Sequence, residues 1–554
     1  MNDTKSGGYA LACAAGRHDI DRVYALPGAQ IYPLFDGFAA AGLEVLVPRH
    51  EQTAGYMAMG AAKSTGRPAL MAVVPGPGLL NASAALATAM GNGSPVVCLT
   101  GQVPSSFLGR GRGHLHELPD QQSTMAGFLK GALRADTIDE AVDVVDAAFE
   151  LAVSGRPGPV VVEMCWDTMA SLGPVSMPPG PAGRSQAESA ELDAETLQEA
   201  MALIVQAKRP MVVCGAGAQH AAEEVRALAQ VLGAPVSAFR SGRGVVPEDH
   251  ALGIGSVAAR LLWDDCDLLI GIGSRLEMPY MRWGDMMTYS ARPLAGPPLI
   301  RIDVDTAELA RFSGDVNVLG DAAAVCKALC DALEGRDHQA ANQEAEIAHA
   351  RADSAELIAS ITPHAEYLSA IRAVLPRDGF LVPELCQAGF LSYTGAFPVL
   401  EPRTYVTEGY QGTLGFGFPT ALGVKAANRR ASVVSISGDG GFLFAAQELA
   451  TAVRYGLGVV TCVFNNDAYG NVLRDQQTQF SGRVIGAELT NPDFVALGSS
   501  FGVDSCRVDS PDALASALRR MLSSTGPGLI EISVDPSQEV SPWPLIHMPD
   551  RPVR

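Results

Sequence analysis

SVVSISGDGGFLFAAQELATAVRYGLGVVTCVFNNDAYGN, residues 432–471, carries the clearest structural signal in the chain. An apolar run, Ser432–Ser437, ends in Gly438-Asp439-Gly440-Gly441. The helix-patterned stretch FLFAAQELATAVRYG follows, and a second apolar run, Val459–Phe464, ends in Asn465-Asn466-Asp467-Ala468-Tyr469-Gly470. Strand, helix and strand in this order form a parallel crossover unit. Both strands then end on the same edge of the sheet, where open α/β sheets take ligands. Asp439 and Asn466 are expected to face each other across that edge. A carboxylate and an amide oxygen are hard ligands suited to Mg2+ or Ca2+, which also prefer phosphate oxygens. Glycines let a phosphate approach the backbone, and a helix N-terminus favours its charge. GDGG alone is an ordinary strand-to-helix turn. Joined to the Asn pair in this order, it reads as a metal and phosphate site.

The same rhythm continues outward. Thr404–Thr407 and Gly528–Val534 are further strand candidates in the last third. The first third has Glu44–Val47, Ala69–Val74, Pro95–Thr100 and Pro159–Glu163, with helical patterns such as Gln52–Thr65 and Ile138–Ser154 between them. The middle has Met211–Cys214, Pro235–Phe239, Leu268–Gly271 and Leu299–Asp303. This alternation predicts an α/β protein of three domains, each a mainly parallel sheet flanked by helices. A Pro/Gly/Ser-rich stretch at 171–191 and a polar one at 336–360 read as linkers. They divide the 554 residues into domains over 1–170, 192–335 and 361–540, with a Pro-rich tail at 541–554.

A formal net charge of −20 argues against nucleic-acid and anionic-membrane partners, which need a basic surface. No apolar run reaches the length of a membrane span. The first residues lack the basic start, apolar stretch and cleavage site of a signal peptide. Ten scattered cysteines, with no CxxC and no Cys/His zinc spacing, point to a reducing cytoplasm.

The segment Gly438-Asp439-Gly440 … Asn465-Asn466 resembles the signature of thiamine-diphosphate-dependent enzymes, the family that includes acetolactate synthase, pyruvate oxidase, benzaldehyde lyase and oxalyl-CoA decarboxylase. The resemblance implies thiamine diphosphate and Mg2+, with Asp439, Asn466 and the Ala468 carbonyl as metal ligands. Gly438, Gly440, Gly441, Tyr469 and Gly470 would line the diphosphate. It also implies a distant glutamate at a strand-to-helix junction, and VLVPRHEQTAGYMAMGAAKSTGR (45–67) supplies Glu51. A carboxylate bonded to the thiamine pyrimidine favours the imino tautomer that removes the thiazolium C2 proton. Burial against that ring would raise its pKa toward neutrality. By itself Glu51 is also an ordinary first-turn residue favoured by the helix dipole. His50 either shapes the pocket or is a satisfied neighbour.

Other segments match the family in turn. Gly28 and Ala29 in Pro27-Gly28-Ala29-Gln30 resemble its first strand-end turn, most closely that of catabolic acetolactate synthases. The stretch from Pro75 to Asn81 resembles its SGPG-x-x-N turn, with Pro75 in place of Ser. Gly409–Gly415 resembles its G-x-x-G-T-M-G segment, where Gly412 approaches the cofactor and Leu414 would wedge it into a V shape. Gln387 and Cys386, in ELCQAGF, stand where relatives place pocket residues, although a core thiol is the plainer reading of Cys386. The base would come from one subunit and the metal motif from its neighbour, which implies a homodimer at minimum and commonly a homotetramer. Some relatives hold FAD or ADP in the central domain. Gly215-Ala216-Gly217 and Gly271-Ile272-Gly273 lack the third fingerprint glycine, so structural glycines are the plainer reading.

The segment Gly113–Gln121 matches the family's pocket segment. His116 matches a histidine of catabolic acetolactate synthases. Glu117 replaces their glutamine, as in oxalyl-CoA decarboxylases, and is the second candidate acid/base. Pro279 and Asp475 stand where biosynthetic acetohydroxyacid synthases carry Arg and Trp, which argues against that enzyme. The expected function is acetolactate-synthase-like cleavage and ligation of C–C bonds. The enzyme would decarboxylate a 2-oxo acid or cleave a 2-hydroxycarbonyl compound (an acyloin) and pass the enamine carbon to a carbonyl acceptor. The alternative is a 2-hydroxyacyl-CoA lyase or oxalyl-CoA decarboxylase, with Arg110 and Arg112 as the nearby cations for CoA phosphates. A remote alternative is a non-catalytic relative that only binds the cofactor. Trp263, Trp283 and Trp543 read as packing residues, and the tail either covers the active-site mouth or is an exposed end.

Overall fold

Three all-parallel sheets order the chain in the computed structural model, which describes residues 4–178, 192–283 and 296–548. A short antiparallel pair, β1 (Thr4–Ser6) with β8 (Leu172–Pro174), ties the start of the first domain to its end. The first sheet contains β2 (Arg22–Ala25), β3 (Glu44–Leu46), β4 (Ala69–Val73), β5 (Val96–Gln102), β6 (Gly131–Ala135) and β7 (Val160–Cys165), in the order β3-β2-β4-β5-β7-β6. The second contains β9 (Pro210–Cys214), β10 (Val236–Ser237), β11 (Gly253–Ile254), β12 (Leu268–Ile272), β13 (Leu299–Asp303) and β14 (Val316–Leu319), in the order β11-β10-β9-β12-β13-β14. The third contains β15 (Phe380–Pro383), β16 (Val433–Gly438), β17 (Val459–Asn465), β18 (Asp504–Val508) and β19 (Gly528–Ser533), in the order β15-β16-β17-β19-β18. β4, β5, β7, β9 and β12 are buried along their whole length, as expected of parallel strands covered by helices on both faces. The α/β class with three helix-flanked parallel sheets is therefore observed.

Several local expectations change. Thr404–Thr407 is not a strand. Its chain runs beside β15, with Leu381 N donating to Thr404 O and Val406 N donating to Leu381 O, but the bridge is confined to Leu381 and Tyr405. The helix expected after GDGG is broken into Asp439–Phe442, a 3-10 turn at Ala446–Glu448 and Leu449–Arg454. The break turns Glu448 toward the first domain. The polar stretch at 336–360 contains a 16-residue helix, Glu344–Ala359, that buries Ile347 and Ala350. Residues 179–191 of the first expected linker and 549–554 of the tail lie outside the described residues.

The first and third domains of one chain meet along two helices, Glu51–Thr65 and Gly417–Ala427. A Cβ on Gly60 would lie 2.3 Å from the Thr420 carbonyl oxygen, and one on Gly423 would lie 2.0 Å from that of Met57. Only glycine permits this backbone approach, and the seam fixes where the helix beginning at Glu51 sits relative to the third sheet.

Candidate active site

Two groups of the expected residues assemble at strand ends. In the first sheet, the order in which strands are added reverses between the parallel neighbours β2 and β4, the kind of switch point at which open sheets take ligands. The turns after these strands carry Gly28-Ala29 and Pro75–Asn81. A Cβ on Gly28 would lie 2.3 Å from Val74 Cγ1. Gly76 has φ +60°, and a Cβ there would lie 2.4 Å from the His116 carbonyl oxygen. Gln30 Nε2 donates to Leu115 O at 2.6 Å, and Gly76 N donates to Gln121 Oε1 at 2.9 Å. The Gly28, Gly76 and His116 loops are thus locked together. Gln121 in turn donates to the buried Glu163 at 2.7 Å, and Glu163 pairs with Arg134.

Glu51 is the first residue of its helix, whose N-cap is His50: the His50 ring nitrogen Nδ1 accepts from Gln52 N at 3.1 Å. Asn81 Nδ2 donates to Glu51 Oε2 at 3.1 Å, so the two expected residues meet beside the Gly76 turn. The turn before Glu51 is gripped from the third domain. The buried Glu448 carboxylate accepts from Arg49 N at 3.0 Å and from Thr451 Oγ1 at 2.5 Å, and burial pushes its pKa up. His116 has φ +65° and a buried Nδ1 without a hydrogen-bond partner. Glu117 accepts from His114 N at 2.9 Å. That amide, with those of Gly113, Gly111 and Arg112, holds its carboxyl below the usual range. Glu117 is therefore ionised at neutral pH in this chain.

The second group lies at the ends of β16 and β17, which pair in register up to Gly438 opposite Phe464. Asp439 is buried at the first turn after β16, and Asn466 and Ala468 follow β17. Asp439 Oδ1 accepts from Gly440 N at 2.8 Å and Oδ2 from Asn491 Nδ2 at 2.7 Å, while burial pushes its carboxyl above the usual range. Asn466 Oδ1 accepts from Ala468 N at 3.3 Å. A carboxylate, an amide oxygen and a backbone carbonyl form a hard donor set that fits Mg2+. Two buried oxygens nearby have no hydrogen-bond partner, Asn491 Oδ1 and Gln387 Oε1. Neighbouring side chains crowd the glycines of the cradle: a Cβ on Gly440 would lie 2.5 Å from the Tyr469 ring, one on Gly441 2.3 Å from Glu384 Oε1, and one on Gly470 2.7 Å from Asn466 Nδ2. These residues could hold a divalent cation and the diphosphate it bridges.

Sequence reasoning did not pick out Glu384, whose only signal is an acid directly after the apolar strand FLVP. Its buried carboxylate accepts from Gly415 N, from Gly417 N at 3.2 Å and from Ser437 Oγ at 2.8 Å. It therefore ties the turn bearing Gly412 and Leu414 to β16. Burial raises its pKa to about 7. Glu408, immediately before that turn, is buried, accepts from Tyr393 Oη at 2.9 Å and lies 3.8 Å from Arg240 of the second domain. Arg240 also donates to Gly409 O and lies 3.6 Å from Glu277. Cys386 caps the short helix Gln387–Leu391, with its sulfur accepting from Gly389 N at 3.4 Å, and burial raises its thiol pKa. Asp475 pairs with Arg474 on the helix after the Asn466–Ala468 loop, and Pro279 is buried in the second domain. Trp543 packs on Phe390 and on the ring of His547.

In the second domain the switch point lies between β9 and β12. Its two glycine turns pack on each other: Gly217 N donates to Gly273 O at 3.1 Å, and a Cβ on Gly215 would lie 2.1 Å from that oxygen. This contact leaves no room for a Cβ on Gly215, Gly217 or Gly273.

Comparison with known proteins bears on the whole chain. Residues 5–124 match the thiamine pyrophosphate enzyme N-terminal TPP binding domain, 197–329 the central domain and 388–532 the C-terminal TPP binding domain. A probable acetolactate synthase large subunit of Methanocaldococcus jannaschii is 31% identical over 562 residues, covering 96% of this chain and 92% of that protein. A probable 2-ketoarginine decarboxylase of Pseudomonas aeruginosa is 31% identical over 541 residues, covering 96% and 94%. The large subunit of acetolactate synthase isozyme 2 of Escherichia coli is 30% identical over 543 residues, covering 95% of each chain. No helix among the described residues is long and apolar enough to cross a membrane. With three matching domains and relatives aligned end to end, the chain belongs to the thiamine pyrophosphate enzyme family.

Proposed function

We propose that the protein uses thiamine diphosphate and Mg2+ to cleave the C–C bond of a 2-oxo acid or acyloin, with ligation of the retained fragment to a carbonyl acceptor, as in acetolactate synthases. The contact of Glu51 with Asn81, in a chain that also carries Asp439, Asn466 and Ala468 on paired strand ends, supports this reading most strongly. When bound, the cofactor supplies a nucleophilic carbon and an electron sink for the bond that breaks. Glu51 is the group that exchanges a proton with the pyrimidine, and Asn81 orients its carboxylate. Asp439, Asn466 and the Ala468 carbonyl would hold the cation, and Leu414 would pack against the cofactor. Glu117, ionised and bonded to its own loop, repels a second carboxylate and organises water rather than donating a proton.

The working unit in this reading is a homodimer, or a homotetramer built from two such dimers. Tyr32, Leu80 and Leu115 are exposed beside the Glu51 group, and Tyr410, Leu443 and Phe444 beside the Gly412–Gly441 group. Both groups thus present apolar faces that a second copy would bury. An acyl-CoA substrate is the second reading, favoured by the exposed Arg110 and Arg112 on the loop before His116. The test incubates the loaded enzyme with 2-oxo acids, acyloins and 2-hydroxyacyl-CoAs and identifies products by mass. Carbon dioxide and acyloin-type products from 2-oxo acids support the proposal. Turnover confined to CoA thioesters contradicts it.

A further inference from the structure

The chain leaves β19 beside β17, where Val534 N donates to Asn465 O at 2.9 Å. It then turns through Pro536–Gln538 and returns over the end of β17 at Glu539. Asn466 Nδ2 donates to Glu539 Oε2 at 2.7 Å. The other oxygen, Oε1, lies 2.9 Å from Nε2 of His364, which is buried against the Phe464 ring. Val540 N donates to Thr362 O at 2.9 Å, so both flanks of the Glu539 turn are anchored.

An ionised carboxylate only accepts hydrogen bonds. It therefore dictates which end of the Asn466 amide faces it: the nitrogen points to Glu539 and the oxygen points the other way, toward Ala468. An amide whose N–H is bonded to a carboxylate also carries more negative charge on its oxygen. His364 keeps Glu539 in place by donating to the oxygen that Asn466 does not use.

We propose that Glu539, held by His364, is a positioning residue for the metal site: it fixes the rotamer and amide orientation of Asn466 so that Oδ1 is presented to the cation. This rests on the reading of Asp439, Asn466 and Ala468 as metal ligands. Groups that orient metal ligands typically change affinity 10- to 100-fold when removed. The stretch that carries Glu539 lies 73 residues beyond Asn466, so the site depends on a part of the chain outside the Asp–Asn motif.

The experiment measures Mn2+ binding to the thiamine-diphosphate-loaded protein from the electron paramagnetic resonance signal of the free ion. Wild type, Asp439→Ala, Glu539→Ala, Glu539→Gln and His364→Phe are compared, with thermal unfolding of each. Glu539→Ala is expected to raise the Mn2+ Kd by roughly tenfold or more. Glu539→Gln, which retains one acceptor oxygen for Asn466, recovers most of that loss, and His364→Phe falls between them. A Glu539→Ala protein that melts earlier but binds Mn2+ like wild type overturns the inference. If Glu539→Ala does not fold, a Glu539→Gln protein and a His364→Phe protein that both bind like wild type overturn it equally. Should Asp439→Ala also bind like wild type, it is the assignment of the metal ligands that fails.

Discussion

Glu384→Ala removes the carboxylate that joins the Leu414 turn to the third sheet. Three donors lose their acceptor: the amides of Gly415 and Gly417 and the hydroxyl of Ser437. Each buried donor left unpaired costs about 1–3 kcal/mol, and the removed side chain leaves a cavity. The expected destabilisation is therefore on the order of 3–6 kcal/mol, short of the full sum where water enters. The group also has a pH signature. Burial raises its pKa to about 7 from the 4.5 of an ordinary glutamate, so the folded state holds this proton more tightly than the unfolded chain. Its stabilising contribution is complete below the unfolded value and is lost as pH rises through about 7. A shift of this size corresponds to ~3 kcal/mol across that window. Glu384→Gln, which cannot titrate, lacks this slope. Unfolding midpoints followed by circular dichroism between pH 4.5 and 8, with cofactor affinity from tryptophan fluorescence, provide the assay. A Glu384→Ala protein with wild-type midpoint and affinity refutes the reasoning, and so does a Glu384→Gln protein with the wild-type pH slope.

Arg240→Ala strips the buried Glu408 of its cation and removes a donor from Gly409 O, so denaturation curves should show about 3–5 kcal/mol of destabilisation. The double variant Arg240→Ala/Glu408→Gln should recover part of it; equal losses in both would show that the charge pair is not the cause. Gly76→Ala forces a side chain into φ +60° and against the His116 carbonyl, with a backbone strain of about 1–3 kcal/mol. Cofactor titration should show weakened binding in that variant, and unchanged binding would separate the Gly76 turn from the site.

The parts of the site that lie within one strand–turn–helix unit were readable from the sequence. GDGG and the Asn pair sit at the ends of adjacent strands because period and composition mark those strands as buried and parallel. Glu51 was readable as a helix start, and Asn81 as part of a glycine turn, although their mutual contact spans two loops. Glu384, Glu408, Glu448 and Glu539 carry no distinctive local sequence signal, for one physical reason. Each is an acid whose partners lie on another element, such as Arg49 N for Glu448 and Asn466 for Glu539. Local pattern reads such acids as surface charges. The break after GDGG is of the same kind: FLFAAQELATAVRYG has the composition of one helix, and the reach of Glu448 to the first domain accompanies its interruption. Thr404–Thr407 has strand composition but only one bridge, because the chain turns away at the buried Glu408.

Glu51 as the proton-exchanging group is most directly tested by hydrogen–deuterium exchange at thiamine diphosphate C2, quenched at intervals and read by proton NMR, in wild type and Glu51→Gln. Exchange in the variant should slow by on the order of 100-fold or more while the cofactor stays bound. Equal exchange rates in the two proteins, with cofactor bound in both, would contradict the assignment.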